Sequence, residues 1–179
     1  MSQAHSVILL LILIKEAFVV ETKRIKPTDE NLRLFGVRLL MRWLIAAAEN
    51  ETTLTYGGVK DRLERECPFT SMGASGARRI GPVVAKSMQT EIHKHEGGAP
   101  LLNTLVVTKK DRLPGKGEGI REIFYDHFPD EVWLKSEGAL KRHPEKWRKV
   151  VRRATREVYN YQHWETLYEK IYGEKLQHQ

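Results

Sequence analysis

Cysteine is almost missing from this chain: Cys67 is the only one among 179 residues. An intramolecular disulfide and a cysteine-based zinc cluster are therefore excluded, and a reducing, cytoplasmic setting is expected. Cys67 itself, next to Pro68, reads as a small buried hydrophobe. A long apolar run is lacking too. The stretch "VILLLILI", residues 7–14, ends at Lys15 and Glu16, well short of the roughly 20 residues that a membrane helix needs. It has neither a basic flank nor a clear small-residue cleavage site, as a leader would. We expect a buried or self-associating element, able to join copies into a homo-oligomer, and no membrane partner. The third shortage is negative charge: 23 Asp and Glu face 30 Lys and Arg, giving a net charge of +7 and, with it, a pI near 9.5. Such a balance points to polyanionic partners, nucleic acid foremost. The chain length and its 41% hydrophobic content suit one compact domain with extensions rather than two independent cores.

After the polar segment "ETKRIKPTDEN", where Asp29 or Asn31 is a plausible N-cap, "LRLFGVRLLMRWLIAAAEN" repeats Leu32, Phe35, Leu39, Trp43 and Ala46 at helical spacing. Leu40 and Ile45 broaden the stripe, and the segment is expected to be a core helix. Thr55 can cap a second helix running through Val59 and Leu63 to about Glu66, and Pro68 with "FTSMGAS" interrupts the pattern. Ser75 is a good cap for a third helix, from about Gly76 to His95. There Ile80, Val83, Val84, Met88 and Ile92 share one side, while Arg78, Arg79, Lys86 and Lys94 surround it. Its first turn, with two arginines beside small residues, has the form of a recognition helix whose N-terminal residues reach base edges or phosphates. Pro82 in the early turns is tolerated there but can kink or delay the start.

"LLNTLVV", residues 101–107, reads as a strand and "TKKDRLPGKGEG" as a basic turn. Helix, helix-turn-helix, strand and basic loop is the order of a winged helix, in which Lys109, Lys110, Arg112 and Lys116 would contact phosphates through charge. "GKGEG" lacks the spacing of a P-loop or dinucleotide fingerprint, so no nucleotide cofactor is expected.

The runs "TYG" at 55–57, "ARRIG" at 77–81 and "PLLNTLVV" at 100–107, closed by a glycine-bearing loop, resemble the C-terminal domain of alkylguanine-DNA alkyltransferases and alkyltransferase-like proteins. The resemblance covers residues 54–119. It implies that Tyr56 matches the tyrosine that helps rotate the target nucleotide, and that Arg78 matches the arginine that fills the space of a flipped base. The family's reactive cysteine and neighbouring histidine have no counterpart: after Pro100 the chain reads Leu101, Leu102 and Asn103. Without a thiolate and its activating base, alkyl transfer is not expected.

Further on, Pro144 suits a helix N1 position and opens "PEKWRKVVRRATREVYNY", where Trp147, Val150, Val151, Ala154 and Val158 form an apolar stripe. From Leu140 to Arg156 there are eight Lys or Arg against the single acid Glu145, a density that asks for an anionic partner. Arg152 and Arg153 are candidate phosphate contacts. Trp164, Leu167, Tyr168, Ile171 and Tyr172 outline a last helix that packs back on the core. "HKHE", His93 to Glu96, places its histidines on different helix faces, so a polar helix end is expected rather than a metal site.

The expectation is an α+β, mostly helical chain of winged helix-turn-helix type. It is divided into an apolar N-terminal element and linker (1–28), a winged-helix domain (29–124) and a basic helical extension (125–179). The function expected is non-covalent binding of double-stranded DNA, with sensing of damaged or modified bases, and no cofactor or metal. Two other classes remain open. One is a metal-dependent nuclease, such as a toxin or defence component, using His93, His95, Glu122, Asp126 or His127; the other is a winged-helix module that binds protein.

Overall fold

The computed structural model describes residues 24–73 and 75–176. The apolar run at 7–14, and the self-association expected of it, lie outside these. Helix α1 spans Asp29–Glu49. Its N-cap is Thr28, not Asp29 or Asn31: the Thr28 hydroxyl accepts the Asn31 N–H at 3.2 Å, satisfying one of the orphan donors of the first turn. Leu32, Leu40, Trp43 and Ile45 of the expected stripe of α1 are buried, and the buried face extends beyond it. Leu32, Gly36, Leu40, Leu44 and Ala47 point inward, whereas Ala46 is exposed and Phe35 and Leu39 are half-buried. Gly36 makes the closest approach: a Cβ there would stand 3.2 Å from Val84 Cγ1 and 3.4 Å from a Leu63 methyl. A residue without a side chain lets three helices meet at their closest approach.

A two-residue strand β1, Leu54–Thr55, leads into α2, Tyr56–Glu66, capped as expected by the Thr55 hydroxyl, which accepts the Gly58 N–H at 3.1 Å. The connection to the next helix is held by Glu64. Its carboxylate accepts from the Met72 N–H and, at 2.9 Å, from Lys60 Nζ, and these bonds hold it below the usual glutamate range, Lys60 contributing most. Gly76 follows, where a Cβ would come within 2.5 Å of the Met72 Cβ. The segments Gly76–Arg79 (α), Ile80–Ala85 (π) and Lys86–His95 (α) run on without a break as one element, α3. Ser75 stands at its N-cap position without a side-chain capping bond. The π turn has a local cause. Pro82 has no N–H, and in a regular α-helix its ring would meet the carbonyl four residues back; widening to five-residue bonds, as in Lys86 N–H to Gly81 O, accommodates it.

The expected strand 101–107 is mostly a 3-10 turn, Leu102–Leu105, and only Val106–Val107 forms a strand, β2. It pairs in parallel with β1, Leu54 opposite Val106 and Thr55 opposite Val107. Among the described residues this is the only sheet, so the basic loop that follows is not the tip of an antiparallel hairpin. Helix α4 is Glu118–His127, α5 Ala139–Arg142, α6 Pro144–Asn160 and α7 Trp164–Tyr172.

Two apolar clusters result. One joins α1, α2 and α3 to Val158, Trp164, Leu167 and Tyr168. The other gathers Leu101, Phe124, Phe128, Leu134 and the inward stripe of α6. The 3-10 turn touches both α1 and α6 and so stands between them. Helix α4 runs across position 124, and Trp164, Leu167 and Tyr168 of α7 share the core of α1. No helix among the described residues is long and apolar enough to cross a membrane.

Candidate functional site

Between the start of α3 and the loop after β2 lies a cleft of about 770 Å³. Tyr56 stands between its two walls. The Tyr56 hydroxyl accepts the Gly115 N–H at 2.9 Å, and a Cβ on Gly81 would stand 3.3 Å from its ring. Glycines on both sides are what allow an aromatic ring to fit between a helix and a loop. Burial pushes the Tyr56 hydroxyl above its usual range, with the Gly115 N–H pulling partly back. It therefore remains a neutral phenol, and among the described residues its own proton has no acceptor. Ala77, Pro82, Ile120 and Ile123 add apolar surface, and Pro82 owes its place there to the π turn.

The rim is cationic. Arg78, Lys86 and Lys109 line the cleft, are exposed, and make no ion pair among the described residues. Lys86 Nζ reaches across to within 3.6 Å of where a Gly119 side chain would begin. The one acid there, Glu118, is committed: it accepts from Arg121 and, at 2.9 Å, from the Gly138 N–H. These partners hold it below the usual glutamate range, Arg121 contributing most.

The loop itself is built. Thr108 N–H donates to the Leu113 carbonyl at 2.8 Å and closes it. Asp111 accepts from the Thr108 hydroxyl and from Leu113 N–H at 3.3 Å. Lys116 pairs with Asp111 at 3.5 Å. Arg112 has a positive φ of 56° and donates to the Thr53 hydroxyl at 2.6 Å, so it ties the loop to the turn before β1 instead of projecting from it. Lys109 and Lys110 are the loop cations that stay exposed without a partner among the described residues.

Of the expected contacts, then, Tyr56, Arg78, Lys86 and Lys109 converge on the cleft and Lys110 adjoins it. Arg79 does not. Its guanidinium binds Asp29 and the Pro27 carbonyl, which ties the start of α3 to the segment before α1; two consecutive helix residues point about 100° apart, so only one of the pair can face the cleft. Ser75 is exposed beside that same helix start. Arg152 and Arg153 lie elsewhere, on α6. Arg153 pairs with Asp130 at 2.9 Å and with Glu157 at 3.6 Å, and its guanidinium sits 4.4 Å from the Phe128 ring centroid.

Leu101, Leu102 and Asn103, at the positions where the resemblance leads one to seek a reactive cysteine and histidine, are all buried and do not line the cleft. Cys67 is buried as well, and its thiol is pushed up to about 11, first by burial and then by Glu66. At pH 8 only about a thousandth of it is thiolate, the reactive form. Labelling by a thiol reagent at that pH should therefore be about a hundredfold slower in the folded protein than in denaturant; equal rates would show an accessible thiol.

The histidines form an arrangement that sequence spacing did not reveal. His93 and His127 are stacked, with centroids 6.3 Å apart and planes 7° off parallel. His93 Nε2 meets the Gln89 amide nitrogen at 2.9 Å, and His127 Nε2 meets Glu157 at 2.8 Å. Burial above all, with His127 beside it, holds the His93 pKa below the usual histidine range, against the pull of the Ala99 carbonyl and Asp126. His95 instead turns to the Glu91 carbonyl at 3.1 Å, and Glu122 is 3.8 Å from Arg121. Among the described residues no three His, Cys, Asp or Glu side chains are placed to share a metal ion. Comparison of the chain with protein families, with curated proteins and with solved structures finds no match.

Proposed function

We propose that this protein binds double-stranded DNA without covalent chemistry, as a winged helix does but with the loop after β2 in place of a hairpin wing, and that the cleft receives a base turned out of the duplex. The observation that carries the proposal is one cleft with aromatic and apolar walls and a rim of uncommitted cations. Apolar surface and a neutral phenol favour the face of a base, and cations favour the phosphates on either side of it. Arg78, on the first turn of α3 and without an ion pair among the described residues, is free to enter the stack where the base has left. The thiol–histidine chemistry of the alkyltransferases has no equivalent at the cleft, so binding and release are the whole cycle. Damaged or modified bases are the favoured targets, because a weakened pair costs less to open.

A mobility-shift titration with intact, mismatched, alkylated and single-stranded DNA, with and without a divalent cation, tests this reading. Preferential retardation of mismatched or alkylated duplex, without cleavage, is expected. Metal-dependent cleavage would replace the proposal with a nuclease, and no retardation at low salt would replace it with a protein-binding module.

The loop gives a separate, smaller effect. Replacing Lys109 and Lys110 with Ala should weaken binding to every sequence alike and make the plot of log affinity against log salt shallower by about 0.9 per lost phosphate contact. An unchanged slope would remove the loop from the interface. Arg112→Ala acts differently, since it frees the loop from Thr53: affinity falls while the salt slope is nearly kept.

A further inference from the structure

We infer that the outward face of α6 is a second nucleic-acid-binding surface, separate from the cleft, so that one molecule holds two duplex segments. Trp147, Val150, Val151, Ala154 and Val158 are buried, which fixes the helix in rotation and turns its opposite side to solvent. Lys146, Lys149, Arg152 and Arg156 are exposed there, with no ion pair among the described residues. Arg148 is only loosely paired, 3.7 Å from Glu145. Uncompensated cations spread around the exposed half of a rigid helix repel one another unless a polyanion neutralises them, and a nucleic-acid backbone supplies closely spaced negative charge along its length.

Position separates this surface from the cleft. The C-terminal half of α6, through Arg153, Arg156 and Asn160, borders a hollow completed by Gly98 and Pro100, just beyond the last residue of α3. The cleft is at the first turns of α3. Lys86 is the last residue of α3 to line the cleft, so residues 87–95 separate the two, about 14 Å at 1.5 Å per residue. The N-terminal half of α6 is set apart by α4: Trp147 packs on Phe124 with centroids 4.5 Å apart, while Ile120 and Ile123 of the same helix line the cleft. The far end of α3, with Arg156 of α6 beside the hollow there, is thus outside the part of the helix that lines the cleft.

The inference rests on the cleft being a DNA site, and the test keeps the two apart. A mismatched duplex on beads is saturated with the full-length protein, and a second, fluorescent duplex is then offered; sedimentation in solution gives the ratio of duplex to chain. Two duplexes per chain and capture of the fluorescent one are expected. Replacing Lys149, Arg152 and Arg156 with Gln, all at exposed positions, should abolish capture and reduce the ratio to one, with retention on the beads and mismatch preference kept. Absence of any retention by the beads refutes the cleft reading itself. Retention without capture refutes the second surface alone, as does capture that survives the Gln variant, which would come from self-association of the chain. Loss of binding to phosphatidylserine vesicles in the Gln variant, with no duplex captured by the parent protein, would assign the surface to a membrane and overturn the inference.

Discussion

Arg78→Ala should erase the preference for mismatched over intact duplex while changing affinity for intact duplex by no more than about threefold. Turning out a base costs a few kcal/mol, and less at a mismatch; each 1.4 kcal/mol of that difference is a factor of about ten in affinity. The wild-type preference is therefore expected to reach about tenfold or more, and it depends on a side chain that fills the gap. Lys86, Lys109 and Lys110 remain in the variant, so the phosphate-driven part of binding persists. A fluorescent base analogue at the mismatch should brighten when wild-type protein binds and stay dark with the variant. Arg78 is exposed and makes no ion pair among the described residues, so thermal stability should not change. Gly117→Trp provides an independent check on the same cleft. Gly117 lines it, has nothing within 4 Å of a built Cβ, and adopts a φ of −81° that any residue accepts. An indole there should block the cleft and remove the mismatch preference with Arg78 intact. Equal affinity of wild-type protein for intact and mismatched duplex, with no change in fluorescence, would refute base extrusion and leave a protein that binds DNA from outside the stack.

Trp147→Ala should cost about 3–5 kcal/mol of folding free energy, the range for truncating a large buried aromatic, against a total of about 5–15 kcal/mol for a domain. Trp147 is completely buried and meets Phe124 edge-on at an interplanar angle of 66°. Loss of the ring opens the second cluster where α6 and α4 meet. Because α4 also lines the cleft, the variant should lose mismatch preference at temperatures where its far-UV circular dichroism is still native. Trp147→Phe should cost much less. It keeps most of the apolar contact, and it removes an indole N–H that has no acceptor among the described residues, a group whose burial is itself unfavourable. Urea unfolding measures both. A loss under about 1 kcal/mol for the Ala variant would mean that the cluster closes up around the gap.

Where a helix buries one regular stripe, the sequence was enough. All five apolar positions assigned to α6 are buried, and so are Ile80, Val83, Val84, Met88 and Ile92 of α3. Helix α1 also buries Leu32, Leu40, Trp43 and Ile45 of its apparent stripe, but its tightest contact is made by Gly36, which a count of apolar side chains ignores. The strand expected at 101–107 was curtailed for a related reason: β-branched residues favour extended backbone only weakly, and the buried leucines before Val106 pack as a 3-10 turn. At the cleft, the types of residue were legible but their division of labour was not. Arg78 and Arg79 look alike in "GARRIG", and only the distant Asp29 and Pro27 distinguish them. Likewise Arg112 resembles Lys109 and Lys110 until Thr53 is brought beside it, and the His93–His127 stack joins residues on α3 and α4. Each of these depends on contact between remote segments, which periodicity does not carry.

The π turn at Ile80–Ala85 gives α3 an angular phase that a regular helix would not have. Successive residues of an α-helix are about 100° apart around the axis, and a π turn takes up extra residues without turning the helix in proportion. Upstream of it stands Arg78; downstream stand Met88 and Ile92, which are fixed in the core. Deleting Pro82 would remove the extra residue and let the segment close as ordinary α-helix, with the first turn kept at nearly its present angle to Met88 and Ile92. Arg78 would then stay at the cleft and Arg79 at Asp29, whereas deleting a residue from the regular turns would rotate both by about 100° and change the direction of the cationic rim with no charge lost. The heading of the rim is thus set by the number of residues in α3, and a single deletion in its regular turns can redirect it where a substitution would only weaken it.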